Sequence, residues 1–355
     1  MLSAVTPQRK TLLKKSANNL SNLGEFGFIA RITASAQSGT GVISGIGDDS
    51  AVTALTSGMQ LLTSTDMLLE DIHFRRSWHD PYRLGRKSLA VNISDIAAMG
   101  GIPRWATLSL AIPPDLSLDF LDEFTRGFLA MAAEHDVSLI GGDTCSSRNG
   151  LAVSVTILGE QQPDLIVRRT GACPGDDIWV TGTLGDAALG LEFLEQHCAS
   201  SLSKGEDTSD ADFLISRLLD PAPRVAAGLK LAKSGLVTAM IDISDGLLAD
   251  FGHIAELSGV GGIIRLADLP FSAAFRTQTS RLTAIPYHHA LSGGEDYELC
   301  FTAPSVNREK ILSDMKNCGI GATAVGIVER SSGVTTVDID NSPYSASTPG
   351  FNHFT

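Results

Sequence analysis

Apolar runs of strand length alternate along this chain with stretches in which apolar side chains recur every three or four positions, the pattern of sheets covered by helices. Ala106 to Ile112 sets Leu108, Leu110 and Ile112 against Thr107 and Ser109, and Leu151 to Leu158 repeats that period of two. Both are expected to be strands with one buried face. Leu61 to Thr63 reads as a strand leading into Ser64-Thr65-Asp66. Asp80-Pro81 opens a predicted helix that runs through Met99 and closes at Gly100-Gly101, since aspartate caps, proline suits a first turn and glycine ends a last one. Ser117 opens another, with Leu121, Phe124, Phe128, Leu129 and Ala132 at helical spacing. The second half is expected to hold helices near Gly185 to Leu194, on either side of Pro221 and Pro223, over Gly246 to Leu257 and at 306–317. Its strands fall at Thr238 to Ile243, Glu298 to Thr302 and near 323–328 and 334–339.

The pattern breaks into polar and turn residues at Gln161-Gln162-Pro163-Asp164, and a strand restarts at Ile178-Trp179-Val180. This divides the chain into an N-terminal domain over 23–162 and a C-terminal domain over 163–355, both α/β in the α+β style. A length of 355 residues agrees, at about 100–200 residues per domain. Residues 1–22 carry Arg9, Lys10, Lys14 and Lys15 with no acid, and are expected to be a disordered leader.

Charge narrows the partners. Lys+Arg 27 against Asp+Glu 40 gives a net charge of −13, which repels a polyanionic backbone and argues against nucleic acid or an anionic membrane as partner. Phosphates, if handled, need cations as mediators. The five cysteines Cys145, Cys173, Cys198, Cys300 and Cys318 include no C-x-x-C pair, so they read as reduced thiols of a cytoplasmic protein. No run approaches the roughly 18 apolar residues of a membrane span.

Four segments place aspartate beside glycine or hydroxyl residues just past short apolar runs: Gly45-Ile-Gly-Asp48-Asp49-Ser50, Ser64-Thr65-Asp66, Gly141-Gly142-Asp143 and Asp242-Ile-Ser244-Asp245. Singly, each is a turn or a helix cap. Together they suggest carboxylates gathered beyond the carboxyl ends of strands, where a cluster of like charge needs a cation. Magnesium fits, because one or two carboxylates hold it while water and substrate phosphates complete its shell. Asp95 lies inside an apolar helical stretch, where a lone charge is costly and calls for a cation or a basic partner. There is no G-x-x-x-x-G-K-[ST] loop. Asp250-Phe251-Gly252 matches the D-F-G of protein kinases, but it falls in a predicted helix without the accompanying H-R-D or V-A-I-K.

The segments Gly24-Glu-Phe-Gly-Phe-Ile-Ala, Gly45-Ile-Gly-Asp-Asp-Ser-Ala, Ser64-Thr-Asp, His73-Phe, Lys87-Ser-Leu-Ala-Val-Asn-Ile-Ser-Asp-Ile-Ala-Ala-Met-Gly, Leu139-Ile-Gly-Gly-Asp-Thr, Val180-Thr-Gly-Thr-Leu-Gly-Asp, Ile241-Asp-Ile-Ser-Asp-Gly-Leu and Leu291-Ser-Gly-Gly-Glu-Asp-Tyr-Glu-Leu together resemble the thiamine-monophosphate kinase family. That family belongs to the aminoimidazole ribonucleotide synthetase-like superfamily. The resemblance implies direct transfer of the γ-phosphoryl group of ATP to thiamine phosphate, giving thiamine diphosphate, with several magnesium ions. It implies metal binding by Asp49, Ser64, Thr65, Asp66, Asp95, Asp143, Asp242 and Asp245, with Asp48 the weaker half of the first pair. Gly142, Asp143, Arg169 and Ser244 would touch ATP, His73 and Glu295 the thiamine phosphate, and Phe351 its ring. Asp66, Asp143 and Asp245 would be the catalytic carboxylates. The family usually ends in a K-G-aromatic-x-H-like segment, whereas here Pro349 precedes Gly350-Phe351-Asn352-His353. The resemblance also implies a mixed N-terminal sheet that pairs with its copy in a homodimer.

Phosphoryl transfer asks for positioning and charge neutralisation, which a carboxylate-rich site supplies through metal ions. The rival reading is another ATP-dependent synthetase of the same superfamily, for which a reactive cysteine near the N-terminal glycine-rich loop or at the C-terminus is expected; the earliest cysteine is Cys145.

Overall fold

The computed structural model describes residues 20–199, 209–280, 282, 286–346, 348 and 350–351. The expected leader lies almost wholly outside these residues, as does most of the acidic, Ser/Asp-rich stretch at 200–210, which the sequence predicts to be a loop. Helix α1 (Leu20–Ser35) begins inside the stretch assigned to the leader and is kinked at Gly24.

The N-terminal domain continues with β1 (Val42–Ser44), β2 (Val52–Thr53), β3 (Gln60–Leu69), α2 (Pro81–Ala98), β4 (Ile102–Ile112), α3 (Leu118–Glu134), β5 (Ser138–Ser146) and β6 (Ala152–Gln161). Asp80 caps α2 by accepting the Arg83 N–H, and Ser117 caps α3 by accepting that of Phe120, as their sequence positions predict. A four-stranded sheet runs in the order β3-β6-β4-β5, antiparallel except for the β4–β5 pair. One face packs on α2 and α3 through Leu89, Ile93, Phe124, Phe128, Leu108 and Val155. The opposite face leaves Leu61 and Met67 exposed, Met67 at 55%.

The C-terminal domain comprises β7 (Asp176–Thr181), α4 (Asp186–Ala199), α5 (Ser209–Leu219), α6 (Val225–Ser234), β8 (Ala239–Asp242), α7 (Leu247–Ser258), β9 (Gly261–Arg265), α8 (Ala273–Thr279), α9 (His288–Ser292), β10 (Leu299–Pro304), α10 (Arg308–Asn317), β11 (Ala322–Glu329), β12 (Gly333–Val337) and β13 (Pro343–Tyr344). They form a seven-stranded mixed sheet ordered β13-β12-β9-β11-β7-β10-β8. Its faces bury two apolar clusters, one around Phe251, Ile264 and Phe275, the other around Trp179, Phe301 and Met315.

One expectation needs correction. Asp66 and Asp143 do not lie beyond strand ends: Asp66 sits within β3 and Asp143 within β5. The polar triplet Ser64-Thr65-Asp66 interrupts the apolar run but not the alternation, since Leu62 and Leu68 are buried on the face that also carries Ser64 and Asp66. The other two segments do follow strand ends: Asp242 is the last residue of β8 with Asp245 just beyond it, and Asp48 and Asp49 follow β1.

Helix α2 joins the halves. It is buried along nearly its whole length, although Lys87, Ser88, Asn92 and Ser94 are polar. Each of those buried groups needs a partner. Asn92 accepts the Asp66 N–H at 3.0 Å, tying α2 to β3, and Ser94 donates to Asp242 at 2.7 Å, tying it to β8 of the other domain.

Candidate active site

A cleft of about 740 Å³ opens between the domains beside α2. Asp66 and Val91 line it from the N-terminal domain, with His73 and Trp78 on the segment between β3 and α2; Ser244, Asp245, Glu295, Tyr297 and Phe351 line it from the C-terminal domain. The three residues expected at the acceptor, His73, Glu295 and Phe351, therefore share one cavity with Thr65, Asp66, Ser244 and Asp245.

Behind the cleft wall the carboxylates crowd. Ser64 Oγ donates to Asp95 at 2.5 Å. Burial, and then the charge of Asp95, raises Asp66 to about 6. Burial raises Asp95 as well, against the hydrogen bond from Ser64 and the charge of Arg169. Asp242 is pushed upward by burial and by Asp95, with Ser94 and Arg169 opposing. Exposed Arg169 thus acts electrostatically on both Asp95 and Asp242. The phenol of Tyr297 rises well above its ordinary value through burial, then through Glu295, Asp66, Asp242 and Asp95. Such a cluster disfavours its own ionised state until positive charge arrives. Among the described residues no three His, Cys, Asp or Glu side chains close a metal site by themselves. That donor set, hard oxygens too spread to cage an ion, fits magnesium, which keeps several positions for water and phosphate oxygens. Thr65 Oγ1 donates to Val155 O at 2.9 Å.

The acceptor side is organised by backbone. Glu295 N–H donates to Ser244 O at 2.8 Å, Tyr297 N–H to Ile243 O at 2.8 Å and Phe351 N–H to Asp245 O at 3.1 Å. Glu295 and Tyr297 have φ of 72° and 50°, a left-handed backbone that costs side-chain-bearing residues energy and marks functional sites. Gly294 explains the glycine pair before them: a Cβ there would lie 2.4 Å from Ser244 O. The Glu295 carboxylate pairs with Lys87 of α2, whose side chain is 0% exposed. His73 Nδ1 accepts the Leu69 N–H at 3.0 Å, which leaves the proton of the neutral ring on Nε2. Burial and the Lys87 charge hold His79 down to about 3, so it is neutral. Arg75 stacks over Trp78 at 4.3 Å, and both line the cleft. Phe351 is 53% exposed.

The remaining expected residues stand apart. Gly142 and Asp143 line a second, smaller cavity of about 70 Å³ with Ile46, Leu110 and Thr144. Gly142 faces Leu108 across the β4–β5 pair, where a Cβ would meet Leu108 O at 1.8 Å. Asp66 pairs with Val155, Val155 with Leu108, and Leu108 with Gly142, so Asp66 and Asp143 sit on outer strands. Three strand spacings put them roughly 14 Å apart along the sheet. Asp48 and Asp49 lie on the exposed turn that follows Ile46, where Asp48 Oδ1 accepts the Asp49 N–H at 2.9 Å.

Sequence reasoning left Lys87, Trp78, His79 and Tyr297 without roles. For Lys87 a signal exists: Lys87, Val91 and Asp95 recur every four residues and so share a face of α2. Nothing in the sequence points to the backbone bonds that hang Glu295 and Phe351 on the Ser244-Asp245 turn.

The chain matches the AIR synthase related protein N-terminal domain over residues 47–161 and the corresponding C-terminal domain over 173–339. It is 40% identical over 332 residues to the thiamine-monophosphate kinase of Escherichia coli (strain K12), covering 93% of this chain and 98% of that one. A crystal structure of thiamine-monophosphate kinase from Stenotrophomonas maltophilia K279a superposes with a TM-score of 0.79 at 40% identity, over 88% of this chain and 96% of the other. A structure described as AaThiL complexed with AMPPCP and TMP gives 0.73 at 34% identity, over 94% and 98%. Two matched domains in order, and relatives of like length throughout, place this chain in the thiamine-monophosphate kinase family.

Proposed function

We propose that this enzyme phosphorylates thiamine phosphate with ATP, forming thiamine diphosphate and ADP by direct in-line transfer in the cytoplasm. The observation that carries this reading is the convergence of His73, Glu295 and Phe351 with Asp66, Ser244 and Asp245 in one interdomain cleft. It is supported by the relative solved with AMPPCP and TMP, 34% identical.

In this reading the His73 Nε2–H donates to the acceptor phosphate. Phe351 at the cleft mouth offers its face to the cationic ring, a contact worth roughly 0.5–1 kcal/mol at an exposed site. Glu295 is already balanced by Lys87, so it contributes by orientation and hydrogen bonding more than by net charge. Several magnesium ions would be held by Asp66, Asp95, Asp242 and Asp245 with Ser64 and Thr65 on one side, and by Asp49 and Asp143 on the other. When bound, they neutralise the transferring phosphate. Gly142, Asp143, Arg169 and Ser244 would meet ATP. The exposed apolar positions Leu61 and Met67 on the outer face of the sheet support a homodimer that pairs these faces.

Incubation of the purified protein with ATP, magnesium and either thiamine phosphate or thiamine, followed by chromatography, tests the acceptor. Thiamine diphosphate is expected only from thiamine phosphate, since thiamine has no phosphate oxygen to act as nucleophile. ATP consumed instead with a formylglycinamidine ribonucleotide or selenide would favour a sister synthetase.

A further inference from the structure

Asp250 belongs to the D-F-G triplet that has no kinase role here, yet it occupies a singular position. It lies in the first turn of α7, 2% exposed. Its Oδ2 accepts three consecutive backbone N–H groups, from Ser244 at 3.0 Å and from Asp245 and Gly246 at 3.1 Å each. The same turn carries outward the carbonyls that hold Tyr297, Glu295 and Phe351.

The free N–H groups before a helix ordinarily make an anion site. Here Asp250 takes up the three N–H groups of the turn that leads into α7, so those three are not offered to a ligand. The turn therefore offers the cleft the Ser244 and Asp245 side chains, oxygen donors that suit a cation, while its carbonyls hold Tyr297, Glu295 and Phe351.

We propose that Asp250 is a positioning residue that fixes the Ser244-Asp245-Gly246 turn, and through it both the metal-nucleotide side and the acceptor side of the cleft. This rests on the kinase reading above. Both sides hang on one turn, so its loosening moves Asp245 and Ser244 together with Glu295 and Phe351. A structural cap alone would alter only the folded fraction.

In the full-length enzyme, Asp250→Ala is expected to raise the magnesium concentration for half-maximal activity and the KM of both substrates by about tenfold or more, because an ångström of misplacement costs up to about a hundredfold. Asp250→Asn, whose amide oxygen still accepts N–H bonds, is expected to return all three to near wild type. A loss confined to kcat, with both KM values and the magnesium requirement unmoved, would overturn the proposal. So would an Asn variant no better than the Ala variant. Should the Ala variant not fold, Asp250→Glu pushes the turn outward by one methylene and is expected to raise the same three constants; wild-type constants there would overturn it. If the wild-type protein forms no thiamine diphosphate, the kinase reading fails by itself. Calorimetric binding of magnesium–AMPPCP then compares the same variants, with weaker binding expected for Ala than for Asn and equal affinities counting against Asp250.

Discussion

The two edges of the N-terminal sheet carry proposed metal ligands in opposite environments. At the β3 edge Asp66 lies against α2, its acidity weakened to about 6 by burial and by Asp95. At the β5 edge Asp143 is exposed, beside a small cavity and the open turn of Asp49. The first edge carries repulsion that positive charge relieves, so in the proposed reading it takes its cations before chemistry begins. The second leaves its carboxylates exposed, and in the proposed reading takes ligands that join once substrate arrives.

The largest effect expected is on turnover. Asp66→Asn, Asp245→Asn and Asp143→Asn should each lower kcat on the order of 10²–10³-fold or more, the scale of losing one electrostatic group aimed at the transferring charge. Stability should separate the edges. Without metal, Asp66→Asn removes a half-buried, repelled carboxylate and should raise Tm by a few degrees, whereas exposed Asp143→Asn should stay within about 0.5 kcal/mol of wild type. Equal Tm shifts from the two variants would erase the contrast.

The pH response sharpens it further. In the folded chain Asp66 titrates at about 6 against an ordinary 3.8, so between these values the folded state binds more protons than the unfolded one. The Asp66 contribution to the stability of the metal-free protein therefore falls as pH rises from about 4 through about 6, by up to about 3 kcal/mol, while His79, held down to about 3, contributes in the opposite direction as pH rises from about 3 to about 6.5. Asp95 and Asp242 act in the same direction as Asp66. Magnesium should restore the loss above that window. Denaturant titrations of the wild type and Asp66→Asn, with and without magnesium at pH 4, 5, 6 and 7, isolate the sign: without metal the stability of the wild type relative to the variant should fall with pH, and a relative stability that rises over this range would contradict it.

Association should respond to the outer face of the same sheet. Sedimentation is expected at about twice the 37.4 kDa chain mass, and Met67→Lys together with Leu61→Lys should shift it to the monomer. The smallest effect is at the cleft mouth, where Phe351→Ala should raise the KM for thiamine phosphate by about two- to fivefold and leave that for ATP alone.

Much of this was readable in advance, and the exceptions have physical causes. The strands β4 and β6 and the caps at Asp80 and Ser117 follow from periodicity and short-range hydrogen bonding, which act within a few residues. Asp66 reads as a strand end because its triplet is polar, although it sits mid-strand on the face that buries Leu62 and Leu68, where that face meets the cleft. The Lys87–Glu295 pair spans 208 positions, and the bonds from Glu295 and Phe351 to the Ser244-Asp245 turn join segments equally remote in kind. The first depends on how two domains meet and the others on how distant segments of one domain pack, and local pattern encodes neither.

The central claim is that the interdomain cleft holds the acceptor, and a crystal soaked with AMPPCP, magnesium and thiamine phosphate tests it most directly. The account predicts the acceptor phosphate at His73, its rings between Glu295 and Phe351, and magnesium at Asp66 and Asp245. Thiamine phosphate bound elsewhere, or a nucleotide filling the space between His73, Glu295 and Phe351, would contradict it.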